Sequence, residues 1–298
     1  MPNPNRARAT SLIILASVIW GATFVSQKLA GLHVGAFTYN GVRFALGCIT
    51  LLPVALLLEK SDRAKTRRTV RVGAVLGVVL FAAANLQQLG IVLSDSPSAA
   101  GEAGFITGMY TVLVPVFGWA LGRKTTAWTW IAAVTAFGGL ALISVGPEGL
   151  SSARFSDLYT VGGAVFWAFH ILIIDRFARD VSPVRLVITQ FAVAAVLSMV
   201  CAFVFETVSL DGLRAAIWPL LFGGVLASGV AYTLQIFGQR GVEPSRAAVV
   251  FSLEAVFAAL SEAVWLGEVM TPRKYLGGAV ILLGVLLSQF TSRPRSST

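Results

Sequence analysis

Uncharged residues run along this chain in long blocks, and the few charged residues fall between them. Residues 9–27, 72–94, 103–122, 125–147, 158–174, 186–205, 215–239 and 275–292 contain no Asp, Glu, Lys or Arg. A hydrocarbon core roughly 30 Å thick takes about 20 helical residues, so each block is long enough to cross a bilayer. Two further blocks are interrupted by charge, 36–58 around Arg43 and 245–266 around Glu254. The pattern predicts an all-α integral membrane protein of ten transmembrane helices. Their spans lie near 11–31, 36–58, 70–93, 98–121 and 127–145, then near 157–176, 183–205, 215–238, 245–266 and 273–291. Strands do not fit, because a membrane barrel alternates apolar and polar positions over about ten residues whereas these blocks are continuously apolar. Arg6 and Arg8 precede the first block as they would a signal peptide, but the block runs too long and more spans follow, so a retained helix is expected.

The blocks repeat. A shift of 147 positions brings Trp20 onto Trp167, Arg43-Phe44-Ala45 onto Gln190-Phe191-Ala192, Gln88 onto Gln235 and Pro97-Ser98 onto Pro244-Ser245. A shift of 145 then matches Leu121-Gly122 to Leu266-Gly267 and Gly139 to Gly284. Two five-helix units, 1–148 and 149–298, are therefore expected. Because five is odd, the second unit enters the membrane from the opposite side, which gives inverted repeats related by an axis in the membrane plane. Such repeats place a site near the midplane between them and expose it alternately to each side.

Composition agrees with this reading: 56% of the 298 residues are hydrophobic and 12% are charged, against about a quarter charged in soluble domains. The net charge of +9 raises the question of nucleic acid, but the basic residues sit in the short connections. Of the 23 Lys and Arg, 17 fall at the termini and in alternate connections, five fall on the other side, and Arg43 lies inside a span. Positive-inside topology accounts for this distribution, with both termini cytoplasmic, a bacterial-type inner membrane as the location and no nucleic-acid partner. Cys48 and Cys201 both lie within spans and read as packing residues, not a disulfide framework.

Polar groups inside the bilayer are expensive and mostly face the bundle interior. Phe81, Asn85 and Gln88 share one face of the third span, and Tyr232 and Gln235 repeat it in the eighth, so these residues are expected on a solute pathway; interhelical hydrogen bonding is the alternative. Trp20 and Trp167 lie too deep for an interfacial belt. With Phe24, Phe105, Tyr110 and Tyr232 they form candidate aromatic walls for apolar or aromatic amino acids. His170, one turn from Trp167, is a candidate proton carrier. Glu254, near the membrane centre, has to be protonated, paired or hydrated, and is the stronger candidate. Arg43 is either its partner or a site for a substrate carboxylate, and a structural ion pair suits both residues equally well. Glu102 is expected near the outer mouth. Pro97 and Pro244 are expected to begin helices, and Pro115 to kink the fourth span and offer a gate.

Ile19-Trp20-Gly21-Ala22-Thr23-Phe24, then Arg43-Phe44, the run from Gly104 to Pro115, Leu253-Glu254-Ala255-Val256-Phe257 and Gly267-Glu268 together resemble the drug/metabolite transporter superfamily, in its EamA-like ten-helix branch. The resemblance covers nearly the whole chain. It implies a transporter, often an exporter of amino acids, aromatic ones included, or of related metabolites. Two departures stand out: Ala255 where a Pro commonly follows the Glu, which leaves the bending of the ninth span open, and Arg123 where an acidic residue is common. A membrane-embedded enzyme would need a concentrated catalytic or metal-binding set, and a channel a filter or rings of like charge; the sequence carries neither. The expectation is a monomer in the lipid bilayer that moves a small molecule, most simply an amino acid, with other metabolites or drugs as alternatives. No metal and no cofactor are expected.

Overall fold

The computed structural model describes residues 4–58, 63–96, 99–144, 154–177, 179–288 and 290. Pro97 and the boundary expected between residues 148 and 149 lie outside these residues. Among the described residues every regular element is a helix. Three long helices come first, α1 (Pro4–Gly31), α2 (Ala36–Leu58) and α3 (Arg63–Val92). The fourth span is made of two pieces, α4 (Ala99–Thr107) and α5 (Tyr110–Ala120), and is followed by α6 (Ala127–Ser144). Next come α7 (Phe155–Phe177), α8 (Pro183–Phe205) and the short α9 (Leu210–Ala215). The next span runs through α10 (Ile217–Leu221), a π-helical segment (Phe222–Ala231) and α11 (Tyr232–Gln239). A second divided span, α12 (Pro244–Phe251) and α13 (Leu253–Trp265), precedes α14 (Pro272–Ser288).

Eight stretches among the described residues are long and apolar enough to cross a membrane. Besides the six-residue α9, two helices fall outside the eight, α6 with 18 residues and α14 with 17, and they pack on each other. The eight explain the abundance of exposed apolar side chains: Leu57, Phe203 and Val264 are 83%, 72% and 76% exposed, as suits residues that face acyl chains. The interior is instead rich in Ala, Gly, Ser, Thr and amide side chains. Helices in lipid gain from close packing and interhelical hydrogen bonds, because lipid is as apolar as their own side chains.

Helices from the two halves of the chain interleave. The first helix, α1, packs on α11, α12, α13 and the π-helical segment, while α7 packs on α3, α4 and α5. Between them α2 packs on α8, where Phe44 and Phe191 stack with ring centroids 5.3 Å apart. Those two residues are paired by the 147 shift. The 145 shift pairs Gly122 with Gly267, and these are the only two residues with positive φ among those described, at +79° and +70°. Each follows the end of a divided span, where a residue without Cβ lets the chain turn out of the helix.

Each divided span breaks in its interior. In the fourth, the i→i+4 ladder gives way to shorter bonds, Thr111 N–H to the Gly108 carbonyl and Val112 N–H to the Met109 carbonyl. Pro115 sits inside α5, which continues through it, so the interruption lies more than one turn upstream of the proline. In the ninth, the break falls at Ser252, where the Ala255 N–H reaches back to the Ser252 carbonyl. The span is interrupted there without a proline after Glu254.

The pairing of α6 with α14 depends on two glycines. A Cβ at Gly139 would lie 2.7 Å from the Gly277 carbonyl oxygen, and one at Gly277 would lie 2.7 Å from the Gly139 carbonyl oxygen. Gly277→Leu is therefore expected to force the helices apart at a cost of about 1–3 kcal/mol, seen as a drop of several degrees in the melting temperature of the purified protein in detergent. An unchanged melting curve would show that the two backbones do not meet there.

Candidate functional site

The broken spans meet at the centre of the molecule. Tyr110 opens α5 and Glu254 lies in the first turn of α13, each just past its break, and the Tyr110 hydroxyl donates to Glu254 Oε1 at 2.7 Å. Both side chains are buried. A carboxyl in the first turn of a helix also faces the positive end of the helix dipole, so the break creates a favourable place for it.

Around this pair lies a cavity with an aromatic wall of Trp20, Phe24, Tyr110, Trp167, Tyr232 and Phe251. Trp20 meets Tyr232 edge-on at 5.0 Å and Phe251 at 5.4 Å, and Trp167 lies 6.3 Å from Tyr232. Both indoles reach across to the other half of the chain. Trp20 Nε1 donates to the Ala227 carbonyl in the π-helical segment at 3.0 Å, and Trp167 Nε1 donates to Gln87 Oε1 at 2.7 Å. Polar groups on the wall are few and spaced apart: Thr23, Gln27, Arg43, Gln87, Thr107, Gln235 and Glu254. Gln87 joins several helices, since its Nε2 donates to Gln27 Oε1 at 3.1 Å and Thr107 Oγ1 donates to its Oε1 at 3.3 Å. The free volume is about 50 Å³, room for a few water molecules at roughly 10–15 Å³ each.

Eight residues proposed from the sequence are brought together here: Trp20, Phe24, Arg43, Tyr110, Trp167, Tyr232, Gln235 and Glu254. The others lie elsewhere. Asn85 belongs to a buried network in which Asn40 Nδ2 donates to its Oδ1 at 3.1 Å while its own Nδ2 donates to Ser198 Oγ at 2.9 Å and to the Phe81 carbonyl at 2.8 Å. Phe81 lies near Phe37, 6.4 Å between centroids. Gln88 Nε2 donates to the Gln27 carbonyl at 3.1 Å, so Gln88 supports the cavity from behind. His170 Nε2 lies 2.9 Å from Gln190 Oε1, buried beside Trp167. Phe105 stacks on Phe137, and Pro115 is buried in α5. Glu102 accepts from Ser96 Oγ at 2.7 Å and pairs with Arg154 at 3.2 Å, one end of the fourth span; at the other end Arg123 pairs with Asp175 at 2.6 Å. Arg43 and Glu254 do not pair with each other: Glu254 takes the Tyr110 hydroxyl, and the Arg43 guanidinium lies over the rings of Tyr39 and Phe44.

Thr23, Gln27, Gln87, Thr107, Ile171 and Phe251 line the cavity without having been singled out. The first two carry a readable signal, since Trp20, Thr23, Phe24 and Gln27 follow the i, i+3, i+4, i+7 spacing of a single helix face. Asn85 is expected to behave as glue between helices. Asn85→Ala should lower stability by about 1–2 kcal/mol in a thermal melt while leaving substrate affinity within about twofold. An intact melt with lost affinity would place Asn85 on the pathway instead.

The comparisons with known proteins agree with one another. The model of the EamA-like transporter family matches twice, over residues 7–145 and again over 154–290. An uncharacterized transporter of Archaeoglobus fulgidus is 31% identical over 276 residues, covering 92% of this chain and 83% of its own. The threonine/homoserine exporter RhtA of Escherichia coli is 25% identical over 292 residues, covering 96% of this chain and 92% of its own. A solved structure described only as a crystal structure of a protein superposes with a TM-score of 0.76 at 18% identity, covering 97% of this chain and 99% of that one, which bears on the fold alone.

Proposed function

The chain belongs to the EamA-like transporter family and is a multi-pass membrane transporter, and from that footing we propose that it exports amino acids by alternating access. The carrying observation is the tight central cavity in which the breaks of two spans meet across the Tyr110–Glu254 hydrogen bond. In this reading α6 and α14 also cross the membrane, which brings the total to ten helices in two inverted five-helix units. The twofold match of one family model, the stacking of Phe44 on Phe191 and the equivalent turns at Gly122 and Gly267 support that arrangement.

The cavity's size supports alternating access. Charged pairs sit at both ends of the fourth span, and about 50 Å³ of free volume lies between. A solute therefore enters only when one bundle moves against the other. Broken helices suit this movement, because each half-helix can tilt at a point where the ladder is already interrupted. Amino acids lead as substrates on two grounds: the aromatic wall with a few separated polar groups, and the exporter of threonine and homoserine among the relatives. In the same reading the protein works in a bacterial-type inner membrane as a monomer with both termini cytoplasmic, and it moves its solute without altering it.

Purified protein in liposomes should take up labelled amino acids from a panel including threonine, homoserine and the aromatic ones. Clear flux of another metabolite with silence across the whole panel would remove amino acids as the substrate class. Labelling of the two termini on opposite faces of the membrane would remove the inverted architecture. An imposed pH gradient is expected to accelerate wild-type uptake, and Glu254→Gln to abolish that acceleration; a gradient without effect on the wild type means Glu254 carries no coupling proton.

A further inference from the structure

We propose that Arg43 is the anchor for the carboxylate of the transported solute. The inference rests on the transport reading above and gives it a chemical requirement, namely that the solute carries a carboxylate.

Arg43 lies inside α2, is 4% exposed and lines the central cavity. A guanidinium does not give up its proton in a protein, so the charge stays with the site. Such a charge inside a bilayer is expensive unless it meets an opposite charge or water. No acidic side chain lies within ion-pairing distance of it among the described residues, and its Nε has no hydrogen-bond partner. What it does have is two ring faces, Tyr39 at 5.3 Å and Phe44 at 4.7 Å from centroid to guanidinium carbon. Aromatic faces hold a cation and orient its plane, but they leave its N–H donors unused. The one acid on the same cavity wall, Glu254, is engaged with Tyr110.

A fixed cation with unused donors in a water-sized cavity fits an anion that arrives and leaves. A carboxylate satisfies those donors with charge-assisted, two-pronged hydrogen bonds. A permanent protein acid at Arg43 would compete with the solute, which gives a physical reason for its absence. The Gln235 amide oxygen, on the same wall, is buried without a partner and is an acceptor for the ammonium of an α-amino acid.

The test uses the full-length protein in nanodiscs, with threonine and threoninamide as ligands at a pH where both amines are protonated, followed by intrinsic tryptophan fluorescence. Parallel uptake in liposomes covers the wider amino-acid panel and the matching amides. Wild type is expected to bind the acid at least about tenfold more tightly than the amide, the scale of one charge-assisted hydrogen bond. Arg43→Gln is expected to bring the two within about twofold of each other by weakening the acid alone. Arg43→Lys keeps the charge and loses the fork, so it is expected to lose at least about threefold in acid affinity with the amide unchanged. If Arg43→Gln does not fold, as judged by its melting and elution profiles, Arg43→Lys decides the matter, and wild-type acid affinity in it overturns the assignment. Wild-type protein that binds and carries amides as well as acids also overturns it, while leaving amino-acid transport standing. A panel in which neither acids nor amides bind or move removes both.

Discussion

In hydrocarbon a peptide group without a partner has nowhere to turn, and the architecture of this chain follows from that constraint. An unbroken helix satisfies every interior peptide group by itself, so most of the chain is unbroken helix. Where a helix is broken, the freed groups have to face protein or water. The breaks at Gly108–Met109 and at Ser252 therefore could not lie on the lipid surface. Residues beside both breaks, Thr107 and Tyr110 in one and Phe251 and Glu254 in the other, line the cavity. The π-helical segment follows the same rule. It packs against α2 and α1, and its Ala227 carbonyl receives the Trp20 indole N–H, so the irregular backbone is held by a side chain of a neighbouring helix.

How much of this could be read from the sequence depends on the physical source of each feature. Eight spans were legible because charge is costly in lipid, and the spacing of Arg, Lys, Asp and Glu therefore marks where helices enter and leave it. Trp20 and Trp167 were legible because indoles rarely sit so deep without a partner, and both were found bonded across the cavity. The third span shows the limit. Gln87 and Gln88 are adjacent, and one residue turns a helix by about 100°. Internal repetition favoured Gln88, yet it is Gln87 that holds the Trp167 indole and lines the cavity. Asn85, on the same face as Phe81, turned toward α2 and α8 because Asn40 and Ser198 wait there, and neither partner lies near it in sequence. The breaks were only half legible. Pro115 drew attention to the fourth span, but its ladder fails more than a turn earlier. The ninth span breaks at Ser252, between α12 and α13, with no proline at the break to mark it.

Repetition and chemistry separate in an informative way. Related positions that build the frame keep their character: Phe44 with Phe191, Gly122 with Gly267, Trp20 with Trp167. The two related positions that carry an ionisable group into the centre do not. Arg43 corresponds to Gln190, which is spent on His170 away from the cavity, and Glu254 corresponds by the same shift to Thr107. A cavity built with identical polar groups on both sides would offer a solute two equivalent orientations. The two walls of this cavity differ, with one guanidinium on one and one carboxyl held by Tyr110 on another. Under alternating access the moving frame benefits from symmetry, since opening toward either side then needs equivalent rearrangements. Recognition benefits from its loss, because a solute bound one way round presents the same groups to the same partners whichever side is open. The cation at Arg43 has only an uncharged counterpart, Gln190, at the related position, and it is buried where a charge is costly to keep in lipid.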